Sequence, residues 1–155
     1  MKILRSAAML VILGLLAPLA SAADVGQIKT SKGGVVIVRD GKEMTASAGT
    51  AVQQADRVLT KADGAAGITF NDNSMLSLGP DSVLDISRFS FGAKSEPDTL
   101  EATLHRGTLS AVSGKIVAKS PEAMRIRTPT TILGVRGTEF FVQVTNPDAG
   151  SAGGK

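Results

Sequence analysis

Cysteine, tryptophan and tyrosine are absent from this chain, and histidine occurs once, at His105. Without thiols there can be no disulfide framework, no thiolate catalysis and no cysteine for lipid attachment. Five phenylalanines are the whole aromatic inventory, so neither nucleic-acid bases nor sugars find the stacking platforms they usually need. A lone histidine without a nucleophile or base to complete it cannot assemble a triad, and it reads as an ordinary surface or turn residue. The expectation is a protein that is not an enzyme, with no cofactor and no bound metal.

Long apolar runs are also missing, except at the start. Lys2 and Arg5 precede an apolar stretch from Ala7 to Leu19, and Ala20-Ser21-Ala22 has the A-x-A form of a signal-peptidase site. Thirteen helical residues reach only about 20 Å, short of the ~30 Å hydrocarbon core, so the stretch reads as a cleaved signal rather than an anchor. Cutting before Ala23 leaves 133 of the 155 residues, enough for one domain. It also removes two of the 17 basic side chains, leaving 15 against 14 acidic ones, a net charge of +1. The pI near 9.5 therefore gives no argument for nucleic acid. The expected location is the periplasm or the secreted fraction, with no stable membrane insertion after cleavage.

From Val25 onward, short apolar alternations are punctuated by Gly, Asp, Asn and Pro, the pattern of brief antiparallel strands. Val35 to Val38 followed by Asp40-Gly41 predicts a hairpin with a type I′ turn. Further strands are expected over Gly67–Phe70, Ser74–Leu78, Val83–Phe91, Leu100–Leu104, Gly107–Val112, Lys115–Ala118 and Met124–Arg127. His105-Arg106 and Ser113-Gly114 read as breaks between them. Asn71-Asp72-Asn73-Ser74 offers oxygen ligands but lacks the twelve-residue calcium loop with its closing Glu, and reads as a turn. Ser31-Lys32-Gly33-Gly34 is too short for a phosphate loop and is likewise a turn. The expected fold is all-β, short antiparallel strands in a twisted solenoid-like stack over 23–145, with a β-sandwich as the alternative. Residues 146–155 carry no apolar periodicity and read as a disordered tail.

The run TPTTILGVRGTEFF, Thr128 to Phe141, stands apart. Pro129 starts an extended segment, and Gly134 and Gly137 flank Val135-Arg136, the arrangement of a tight corner between two strands. Arg136 and Glu139 lie close enough in sequence to pair and pin that corner, a folding lock; contact with a partner is the other role open to them.

Thr128, Pro129, Gly134, Val135, Arg136, Gly137, Thr138, Glu139 and Phe140 together resemble the signature of the FecR protein family, T-P-x-x-x-x-G-V-R-G-T-E-F. Weaker likenesses occur at Ala55–Thr60, Ala65–Ser74 and Leu76–Ser82. The resemblance implies a periplasmic domain that, in the iron-citrate type of system, receives a signal from an outer-membrane transporter for a regulator holding a sigma factor. The full regulator adds a cytoplasmic segment, a spanning helix and a domain after the motif, so the expectation here is the β-domain alone. Its expected role is a protein-interaction, signalling or regulatory module whose partner is an envelope protein of unknown identity, with no nucleic acid bound. A cell-wall or glycan-associated structural domain is the alternative.

Overall fold

In the computed structural model the described residues are 22–135 and 139–145. The expected signal peptide, Ala22 apart, and the expected tail lie outside them. The described chain is all-β, a curled antiparallel half-barrel, with a single helical turn.

Its plan is a stack of rungs, each a chain segment bent once so that one half lies in a first arm and the other in a second. β1 (Asp24–Lys32) and β2 (Val35–Arg39) make one bent segment, and β3 (Lys42–Thr45) and β4 (Ala51–Gln53) return beside it. β5 (Arg57–Thr60) with β6 (Ala65–Phe70) lies against the other side of β2 and β1. β7 (Met75–Leu78) with β8 (Val83–Ser90) follows. β9 (Thr99–Val112) is the longest strand, its first half paired with β8 and its second with β7. β10 (Met124–Arg127) lies parallel to the first half of β9, with β11 (Ile132–Gly134) beyond it. β12 (Glu139–Val144) lies antiparallel to the second half.

The predicted hairpin is present: Asp40 and Gly41 take φ of 51° and 74° between β2 and β3, as a type I′ turn requires. Two expectations change. His105-Arg106 does not separate strands; it lies inside β9 at a bulge, where the buried positions pass from Leu100, Ala102 and Leu104 to Leu109 and Ala111. That parity change lets one strand turn its apolar face into both arms. Gly107 makes it possible with φ of 91°, and a Cβ there would lie within 2.5–2.7 Å of Ser82 Cα and Cβ. The second change is Lys115–Ala118, which is the helical turn α1 (Lys115–Lys119) rather than a strand. Buried Ile116 and Val117 explain why: α1 crosses from the end of one arm to the start of β10 in the other, covering the core with two consecutive side chains as a strand cannot.

The core lies inside the bend. Ile28, Ile68, Leu76 and Leu109 from the first arm face Ile37, Leu84, Ile86, Leu100, Leu104 and Ile126 from the second. Phe70 and Phe89 stack across the arms at 5.4 Å. Each corner is tied to the next by backbone and hydroxyl groups: Lys61 N–H donates to Gly34 O (2.9 Å), Asp81 N–H to Lys61 O (3.1 Å) and Gly79 N–H to Thr108 O (3.1 Å). Buried Ser82 receives Thr108 N–H at its Oγ (3.0 Å) and donates its own N–H to Thr60 Oγ1 (2.9 Å).

Candidate functional site

Among the described residues, buried polar groups appear where the fold needs a tie rather than along the run from Thr128 to Phe141. Asp56, fully buried, accepts Arg39 Nε (2.8 Å) and Nη2 (2.7 Å) together with Gln53 N–H (2.7 Å). Arg39 Nη2 also donates to Ala51 O, so this one guanidinium joins β2, β4 and the turn before β5. The carboxylate raises the Arg39 pKa, its hydrogen bonds outweighing the opposing cost of burial. Asp72, also fully buried, accepts Ser74 N–H and Oγ–H and, at 3.3 Å, Ile116 N–H at the start of α1. The turn expected at Asn71–Ser74 thus fastens the helix to the first arm.

The last rung differs. β10 and β12 hold its two halves, yet the chain does not run from one to the other across the corner. It leaves β10 through the turn Thr128-Pro129-Thr130-Thr131, in which Thr128 N–H donates to Thr131 O (2.8 Å) and Thr131 N–H to Thr128 Oγ1 (3.1 Å). Pro129 therefore sits in a turn, where its fixed φ is suited to the second position, and the extended segment begins at Ile132. The corner left open is a cleft of about 410 Å³ between this turn, His105 and the end of β12. A second cleft of about 230 Å³ lies at the other end of β12, bounded by Leu133, Gly134 and Val135.

Of the motif residues, Val135 is buried and donates its N–H to Met124 O (3.1 Å), and Phe140 packs half-buried on the core. Pro129, Gly134 and Glu139 are exposed. Arg136, Gly137 and Thr138 lie outside the described residues, and the expected Arg136–Glu139 pair with them. Gly134 has no left-handed backbone, and a Cβ added to it would meet nothing within 4 Å. The structure brings Thr128, Pro129, Gly134, Val135, Glu139 and Phe140 to the rims of the two clefts along β12.

Sequence reasoning passed over the two largest exposed apolar side chains here, Ile132 (58% exposed) and Phe141 (65%). Alternation held the signal for Phe141: of two adjacent phenylalanines in a strand, one must face outward. It also passed over a charged cluster beside the cleft. Asp85 accepts Arg57 Nε (2.5 Å) and Nη2 (2.8 Å) and lies 2.8 Å from His105 Nε2. Arg57, foremost, and His105 hold the Asp85 carboxyl below the usual range, against partial burial. Arg125 and Arg127 flank Glu101 at 3.5 and 3.8 Å. Among the described residues no three histidine or carboxylate side chains converge as metal ligands, and no helix is long and apolar enough to cross a membrane.

A family model described as FecR protein matches residues 56–152, well over half of the chain. It starts at buried Asp56 and takes in both clefts. No curated protein and no solved structure matches.

Proposed function

Because this chain belongs to the FecR protein family, associated with signalling and regulation at the cell envelope, we propose that it is a non-enzymatic envelope module that works by binding another protein along β12. The observation that carries this is the state of the sheet edges. β3 presents Lys42 and Glu43 at its edge, and β4 and β11 have three residues each. β12 has six, Glu-Phe-Phe-Val-Gln-Val, with no lysine, arginine or proline to discourage pairing. Natural proteins guard edges of that kind unless they use them. Beyond β10 the second arm has β11, whereas beyond β12 the first arm has no further strand among the described residues. An extended segment of a partner would fill that place, its inward side chains meeting Leu133, Val135 and Val142.

Export through a signal cleaved before Ala23 belongs to the same proposal, and the first strand starting at Asp24 accords with it. The glycan alternative has little to stand on: of the five phenylalanines only Phe141 is an exposed large apolar residue. The test is affinity capture from envelope extract with the native chain and with Phe141→Lys. The native chain is expected to retain an envelope protein that the variant loses at unchanged melting temperature. Identical captures from both would reject the assignment of the site, and capture of no other protein by the folded native chain would reject the function.

A further inference from the structure

We infer that β12 also pairs with β12 of a second copy, antiparallel and centred on Phe141, so that two chains share one continuous first-arm sheet. This rests on the reading of β12 as a recognition edge and names one occupant for it. The strand is self-complementary in that register. Glu139, Phe141 and Gln143 point to the exposed face while Phe140, Val142 and Val144 point to the core side. Antiparallel pairing about residue 141 sets Phe141 against its own copy, Phe140 against Val142, and Glu139 against Gln143. Each match is favourable: an aromatic pair on the wet face, an apolar pair continuing the core layer, and a carboxylate opposite an amide that can donate to it. No like charges oppose one another. Sliding by one residue on each chain would set Phe141 against Gln143 or Glu139 and lose the aromatic pair on the exposed face.

The comparison with other exposed apolar residues favours this occupant. Met44 lies on the charged edge β3, Met75 on β7 with strands on both sides, and Ile132 on β11, an edge of only three residues, so none has a long backbone beside it that is free and unguarded. Phe141 has one, and Val112 and Met75 lie on neighbouring strands of the same outer face. A paired edge would extend that face across the two copies.

The absence of cysteine makes the test clean. Opposed residues in an antiparallel pair have Cα atoms about 4.5–5.5 Å apart, within disulfide range. In the purified full chain, Phe141→Cys is expected to form a disulfide-linked dimer under mild oxidation at several times the yield of Met44→Cys or Met75→Cys. Glu139→Cys and Gln143→Cys are expected to link when mixed and far less when alone. Sedimentation of the native chain should show a concentration-dependent dimer, weakened at least about tenfold in Phe141→Lys, since a lysine at an edge opposes pairing. A native chain that stays monomeric, or equal cross-linking at 141 and 44, would overturn the inference. If envelope capture still yields a Phe141-dependent foreign protein while the pure chain is monomeric, the functional reading stands and this one fails. Dimerisation without any foreign partner would mean the reverse.

Discussion

The closed corners and the open one are built on the same backbone plan and filled in opposite ways. Between β7 and β8, Ser82, Thr60 and Thr108 saturate one another, and Gly107 brings β9 against them with no space for a side chain. At the last corner the chain turns away through Thr128–Thr131, and the strand beside it shows Phe141 to solvent. Among the described residues, buried Thr60 and Ser82 close a corner, while the two most exposed large apolar side chains, Ile132 and Phe141, lie where closure is missing. Among the described residues the family motif falls on the unfilled side, at β11, β12 and the turn before them. At Gly134 the backbone has no steric need of glycine.

Damage to a closed corner should unfold the chain, and the largest effect is expected at Gly107. Gly107→Val must place a β-branched side chain at positive φ against Ser82, and a loss of about 3–4 kcal/mol in chemical denaturation is expected. A smaller loss, about 2–3 kcal/mol, is expected for Asp56→Ala, which leaves the Arg39 guanidinium and Gln53 N–H without their shared acceptor. Arg39 is a quarter exposed, which keeps the cost below that of a fully buried pair. Thermal melts should follow the same order.

The outer charged cluster should matter least. Arg57→Ala is expected to cost no more than about 1 kcal/mol at neutral pH, because the pair is solvent-screened. Its sign with pH is fixed by Asp85. The folded pKa is depressed, so the contribution is present above the unfolded value near 3.9 and lost as pH falls through the lower folded one. Melting of the native chain and of Arg57→Ala should therefore converge below about pH 4, and a difference that persisted or grew in acid would contradict the assignment.

How much of this was legible depended on whether one residue's signal stayed local. The hairpin at Asp40-Gly41 could be read because two adjacent residues set both positive φ values. The stacked rungs could be anticipated from recurring glycines between short alternating runs. Arg39 and Asp56 gave no such sign: they are 17 residues apart, and the pairing of β5 with β2, Val38 opposite Arg57, brings them together. His105-Arg106 looked like a loop because a bulge breaks alternation in the same way a loop does. Lys115–Ala118 contains too few residues for helical periodicity to outweigh strand-like alternation, and its helical turn is held by Asp72, 44 residues earlier than Ile116. At the site, the motif marked the region, but the exposed face of β12 depended on knowing which phenylalanine turned inward.

We propose the unfilled side of the last rung as a recognition edge. It is tested most directly by placing a photo-activatable side chain at 141 and at 44, two exposed apolar positions on unlike edges, and comparing cross-linking in intact envelopes. Discrete protein adducts are expected at 141 in clear excess over 44. Equal labelling at both positions, or none at 141 in a folded chain, would contradict it.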